Sequence, residues 1–233
     1  MRFLIKWTKE GDMRYISHLD IMRLFQRALK RKGIRLKYSE GYSPHPKMSI
    51  AQPLSLGYTS RGEYLEFETQ EEWDPEEIRL RLDSAMPEGI RMISCSVLQK
   101  TKKAGALIIR GDYRVGIRME DPEGYDKLRD AARWFMDQPS VTVEKVQKKS
   151  GKVKEIDIRE KVKSLEILDE KDYIVMELKV DTGSASNLNP EVLLQKLRER
   201  TDLSGASMEV HTERVEMYAE SEEGTEIPLY LLK

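Results

Sequence analysis

Ser17 and Gly33 bracket one helix, and that helix limits what the first hundred residues can become. Ser17 is a good N-cap, and Asp20 three positions on completes a capping-box-like start. The expected helix runs from about His18 to Lys32 and stops at Gly33, a residue suited to the left-handed position after a helix. Met22, Phe25 and Leu29 fall on one face, with Ile21 and Ala28 beside them. Arg23, Arg27, Lys30 and Arg31 recur at i, i+4, i+7 and i+8 on another.

Strands are expected on both sides of this helix. Phe3–Trp7 reads as the first, and Met13–Ser17 resumes extended structure. Ile34–Ser39 reads as the second main strand, followed by a Gly/Pro loop over residues 39–53. Lys47–Ala51 reads as extended within that loop. Gly62–Thr69 alternates as a strand. Asp74 and Pro75 start a helix that carries Ile78, Leu82 and Met86, and Ile90–Leu98 follows as a strand. The order is β-α-β-β-α-β. After a linker at residues 100–105 it recurs, with strands at Leu107–Arg118, Val141–Gln147, Val153–Ile158, Tyr173–Val180 and Ser207–Met217, while Val162–Leu168 reads as either a short strand or a helix. Helices are expected at Pro122–Asp137 and from Asn189 to about Arg200, with a turn at Lys149–Lys152. The expected fold class is α+β: two tandem ferredoxin-like (βαββαβ) sandwiches with antiparallel sheets, at 1–99 and 106–219, and a tail at 220–233 that docks or frays.

Charge is strongly segregated in a chain of 233 residues and net charge −1. Residues 14–52 hold nine Lys/Arg against Asp20 and Glu40, whereas residues 60–89 hold ten acids against three arginines. Such segregation suits a basic face for nucleic acid or an acidic partner, against the simpler reading of ordinary solvated faces. The single cysteine, Cys95, lies in an apolar run and excludes a disulfide framework or a thiolate-built zinc or iron–sulfur site. No apolar run approaches a membrane span, and no signal peptide is visible, so the expected location is cytoplasmic.

Three constellations could carry chemistry. His18, at the start of the helix, and His45, held between Pro44 and Pro46, could act as a general acid–base pair. Otherwise His18 helps cap the helix and His45 packs between prolines. With Asp20 they lack metal-ligand spacing, so no metal or cofactor is expected. The stripe Arg23, Arg27, Lys30 and Arg31, joined by Lys37 and Lys47, suits phosphate. Tyr15, Tyr38, Tyr42 and Tyr58 suit base stacking. The loop Ser39–Pro46 matches no phosphate-binding glycine motif. Tyr42, His45 and Lys47 are expected to share a polar pocket with His18 and Asp20.

Ser17-His18-Leu19-Asp20, Met22-Arg23, Arg27-Ala28, Tyr38-Ser39-Glu40-Gly41-Tyr42, Pro44-His45-Pro46, Pro53-Leu54 and Gly62-Glu63-Tyr64 together resemble the bacterial radical SAM-associated (radical SAM-linked) protein family, in its stand-alone form. The resemblance implies a radical SAM protein as partner and leaves the reaction open. There is no CxxxCxxC, so this chain holds no such cluster itself. A fainter likeness is to CRISPR RNA-processing endonucleases, whose C-terminal glycine-rich loop is reduced here to Gly205 alone within residues 201–207. The leading expectation is an RNA-binding accessory module that presents RNA to a radical SAM partner. The alternatives are a metal-independent ribonuclease using His18 and His45, and a protein-interaction adaptor.

Overall fold

The run Phe-Leu-Ile-Lys-Trp inside β1 (Arg2–Lys9) is apolar at almost every position because both sides of this strand are buried. Phe3, Ile5 and Trp7 face α1 (His18–Arg31), while Leu4 enters a second core on the opposite face. A strand covered on both faces reads as a continuous apolar run rather than an alternation.

The computed structural model describes residues 1–100, 102–146, 151, 153–203 and 205–232. Contacts divide the chain into two compact units, Met1–Arg110 with Glu213–Lys233, and Gly111–Thr212. The fold is mixed α+β, with mostly antiparallel sheet and few helices.

In the first unit β3 (Thr59–Glu68) pairs antiparallel with β1, from Arg2↔Glu68 to Lys9↔Ser60. β4 (Met92–Val97) pairs antiparallel with β1 on its other side. β2 (Met48–Ile50) takes the far edge of β3, with Met48 opposite Phe67. α1 and α2 (Pro75–Asp83) cover one face, where Phe25 meets Trp7 edge-on at 5.0 Å between centroids. Ile21, Leu29, Leu65, Phe67, Ile78 and Leu82 complete that core. Gly33 ends α1 with φ +76°, a conformation that costs glycine nothing.

Two local expectations fail for identifiable reasons. Residues 11–15 form a 3-10 turn rather than extended chain, closed by the Met13 N–H on the Glu10 carbonyl and the Ile16 N–H on the Met13 carbonyl. Residues 34–39 do not form a strand. They make isolated bridges, Leu36↔Thr69 and Tyr38↔Pro46, because β2 occupies the edge of β3 instead.

The tail docks. Within the first unit β10 (Met208–Glu220) pairs in parallel with β3 at Glu213↔Thr59 and Arg214↔Ser60. β11 (Glu226–Pro228) pairs back on β10. Leu229 and Leu232 are buried with Leu4, Tyr64, Leu98, Ala104 and Met217, which fill the sheet face away from α1. The expected boundary at residues 100–105 falls inside this unit, where the short α3 (Ala104–Leu107) places Ala104 in the same core and Thr101 lies outside the described residues.

The second unit holds β5 (Ile108–Met119) from Gly111, α4 (Glu123–Asp137), β8 (Val162–Asp169), β9 (Ile174–Asp181), α5 (Pro190–Arg200) and β10 as far as Thr212. Its strand order is β10-β5-β9-β8, with β8 and β9 antiparallel. Tyr113, Val115, Ile117, Leu128, Phe135, Met176 and Leu197 sit in one core. β6 (Thr142–Val146) and β7 (Val153–Asp157) form a separate antiparallel pair, and residues 147–150 and 152 of the expected strand end and turn lie outside the described residues.

Leu229 is fully buried under the sheet. Leu229→Ala is expected to cost about 2–4 kcal/mol in urea unfolding, as for other buried leucines. An unchanged midpoint would mean that the tail contributes nothing to the fold.

Candidate nucleic-acid interface

Burial of Ile21, Phe25, Ala28 and Leu29 fixes the rotation of α1, and so decides which residues face water. Arg23, Arg27 and Lys30 are exposed on the opposite side. At the start of the helix the Ser17 hydroxyl accepts from the Asp20 N–H at 3.2 Å and donates to the Asp20 carboxylate at 2.7 Å. Arg23 pairs with Asp20 at 3.1 Å. The Ser17 hydrogen bond, and then the Arg23 hydrogen bond, hold the Asp20 carboxyl below its ordinary pKa. Asp20 therefore stays anionic and offsets part of the charge near Arg23. Arg31 does other work: its guanidinium donates to the Ala85 carbonyl at 2.8 Å, and Arg81 donates to the Lys32 carbonyl at 3.1 Å. These bonds tie the C-terminal ends of the two helices together. Among the described residues Arg27 and Lys30 form no ion pair.

Lys37 and Lys47 are brought together at the base of the Gly/Pro loop. The Lys37 N–H donates to the Glu68 carbonyl at 2.8 Å, the Glu68 N–H to the Lys47 carbonyl at 3.0 Å, and the Lys47 N–H to the Lys37 carbonyl at 2.8 Å. Further out, the Ser39 N–H donates to the His45 carbonyl at 2.8 Å and the His45 N–H to the Ser39 hydroxyl at 2.9 Å. Residues 37–47 are thus a pinned hairpin with Tyr42 near its tip. The Lys47 ammonium lies 3.5 Å from the Glu68 carboxylate.

The expected pocket joining His18 and Asp20 to Tyr42, His45 and Lys47 does not form at the loop's base. Glu68, which anchors the hairpin, stands opposite Arg2 at the start of β1. The chain before α1 is held at the other end, where the Lys9 ammonium donates to the Arg14 and Ile16 carbonyls at 3.3 and 3.2 Å. The eight residues of β1 separate these anchors by about 23 Å. The expectation failed because the loop precedes the edge strand β2 instead of following it. Both imidazoles are exposed, and among the described residues no hydrogen bond joins them to each other or to Asp20. Lys30 and Arg31, in the last turn of α1, are instead on the approach to the hairpin. Six residue steps separate Arg31 from Lys37, a reach of at most about 20 Å.

Two buried polar groups went unseen in the sequence. Glu63 and Arg214 form an ion pair with both side chains 1% exposed, at 2.6–2.8 Å, and Arg214 also donates to the Gln52 carbonyl at 2.7 Å. On the other face of β3 the Tyr64 hydroxyl and the Lys6 ammonium both donate to Glu216 at 2.5 Å. Burial, reinforced by the Glu216 charge, pushes the Tyr64 phenol far above its ordinary pKa. Burial lowers the pKa of Lys9, with the nearby Glu63 charge opposing that shift. Only the 151-residue separation of Glu63 and Arg214 conceals the pairing, since each reads alone as a charge on a solvated strand. Burial also pushes the Cys95 thiol up to about 12, in keeping with a structural thiol. Among the described residues no cluster of three His, Cys, Asp or Glu side chains could hold a metal, and no helix is long and apolar enough to cross a membrane.

Residues 2–190 match the model of a family described as "Uncharacterized protein conserved in bacteria (DUF2344)". The chain belongs to that family. No curated protein matches this DUF2344 chain. Among solved structures, it resembles a chain of the "Crystal Structure of a Cbf5-Nop10-Gar1 Complex" at 12% identity and a TM-score of 0.53, over 92% of this chain and 48% of that one. A chain of the "Crystal structure of the archaeal box H/ACA sRNP Nop10-Cbf5 complex" matches at 13% identity and a TM-score of 0.47, over 91% and 46%. An unknown protein from Galdieria sulphuraria matches at 15% identity and a TM-score of 0.27, over 92% and 98%. This DUF2344 chain spans about half the length of the first two. At 12% identity the first likeness is one of fold.

Glu63→Gln would leave the buried Arg214 guanidinium without its counter-charge and is expected to cost about 3–5 kcal/mol. The double change Glu63→Leu with Arg214→Met is expected to recover most of that loss in urea unfolding. Equal losses in the two variants would show that the pair does not act as a unit.

Proposed function

We propose that this DUF2344 protein is an RNA-binding accessory module that presents RNA to a radical SAM partner. The observation that carries the RNA reading is the exposed pair of cations Arg27 and Lys30 on α1, which form no ion pair among the described residues and run toward Lys37 and Lys47 at the hairpin. Several cations on one surface are what phosphate binding requires. Tyr42, on the same hairpin, supplies an aromatic surface. The radical SAM partner rests on the resemblance carried by the Ser17–Asp20 and Tyr38–Pro46 motifs.

The strand orders β4-β1-β3-β2 and β10-β5-β9-β8 support reading the two units as tandem ferredoxin-like sandwiches. In the first unit the sheet face away from the helices is filled by Leu4, Tyr64, Met217 and Leu229, which directs RNA to α1 and the hairpin rather than to an open sheet. A ribonuclease would need His18 and His45 on one phosphodiester, and anchors at opposite ends of β1 lend that reading no support. A protein adaptor predicts weak salt dependence of RNA binding, whereas phosphate neutralisation predicts a steep one.

The double substitution Arg27→Glu with Lys30→Glu tests the reading by fluorescence anisotropy of a labelled RNA across a salt series. It is expected to weaken binding and to lower the slope of log affinity against log salt by about 1–2, with little change in melting temperature. Unchanged affinity would make the stripe an ordinary solvated face.

A further inference from the structure

Tyr42 is a ring that the rest of the fold does not use. Its exposure is 107% of a free residue's, so it packs against nothing. The base of its hairpin is nonetheless held. Gly41, beside Tyr42, has φ +121° and lets the chain reverse at the tip. Pro44 and Pro46 restrict the return arm. The cross-arm bonds of Ser39 with His45 and of Lys37 with Lys47 close the base, and Glu68 fixes that base to β3. Tyr38, in the outgoing arm, is half exposed. Lys37 makes no ion pair among the described residues, and Lys47 is partly screened by Glu68. The hairpin thus presents an unburied ring at its tip and two cations at its base. Holding such a ring in water on a pinned support forgoes the favourable burial that aromatic side chains ordinarily gain.

We propose that the hairpin 37–47 is a stacking finger for unpaired bases, so that the RNA taken by this surface is single-stranded. The inference rests on the RNA-binding reading above and specifies its substrate class. In a duplex the flat faces of the bases are already stacked on one another. In a single strand each base has a free face that a tyrosine can cover, while Lys37 and Lys47 neutralise flanking phosphates. The preformed hairpin reduces the ordering that binding would otherwise require.

The test compares a labelled single-stranded 12-mer RNA with a blunt duplex of the same sequence, using the full chain. Tyr42→Ala is expected to weaken single-strand binding on the order of tenfold to a hundredfold. Its salt slope, duplex affinity and melting temperature are expected to stay unchanged, and Tyr42→Trp is expected to keep the wild-type preference. If Tyr42→Ala binds both RNAs as wild type does, or loses both equally, the stacking finger is overturned while the basic surface stands. If Arg27→Glu with Lys30→Glu also changes nothing, the RNA-binding reading falls, and the finger with it.

Discussion

Burial of β3 on both faces is the constraint on which the first unit depends. Its residues pair with β1 along almost their whole length, with β2 at Leu65–Phe67 and with β10 at Thr59 and Ser60. Leu65 and Phe67 enter the core under the helices, and Tyr64 enters the core under the tail. A one-residue slip would exchange those faces, placing Tyr64 under α1 and Leu65 among the tail leucines. The Glu63–Arg214 pair and the Tyr64–Glu216 hydrogen bond hold that register from either face. Both would lose their partners in any other alignment, leaving buried charge or hydroxyl unsatisfied.

The same strand decides where the basic surface lies. Beyond Phe67, Glu68 and Thr69 receive the hairpin base and the bridge to Leu36. The hairpin therefore leaves from the end of β3 that faces the start of β1. Because α1 runs back along β1, its last turn, with Lys30 and Arg31, arrives at that end too. The cations do not all remain available: Arg31 is used on Ala85, Arg23 on Asp20 and Lys47 partly on Glu68. Among the described residues Arg27, Lys30 and Lys37 form no ion pair.

Several acidic residues elsewhere in the unit are engaged in holding it together. Glu66 accepts from Arg2 and from the Ala104 N–H, and Glu76 and Glu77 pair with Arg79 and Arg81 along α2. Most of the exposed pairs contribute little individually. The buried ones matter through the penalty of breaking them. The segregation of charge in the sequence thus separates a part rich in carboxylates from a surface on α1 and the hairpin that is rich in exposed cations.

Local chemistry determined much of this chain. The caps at Ser17, Asp74 and Asn189, the stop at Gly33 and the existence of β3 are visible in the residues, because caps, turns and strand-forming runs are short-range effects. The basic face of α1 was legible for the same reason. Which segment pairs with the edge of β3 was not: Ile34–Ser39 has a strand's composition, but Met48–Ile50 fills the edge, and only competition for one row of backbone groups decides between them. That outcome moved the hairpin to the far end of β1 from His18 and dissolved the expected shared pocket. The burial of Glu63 against Arg214, and the hydrogen bond of Arg31 to the Ala85 carbonyl, were likewise decided in three dimensions. Residue type specifies charge, but only tertiary packing specifies which charges are already satisfied.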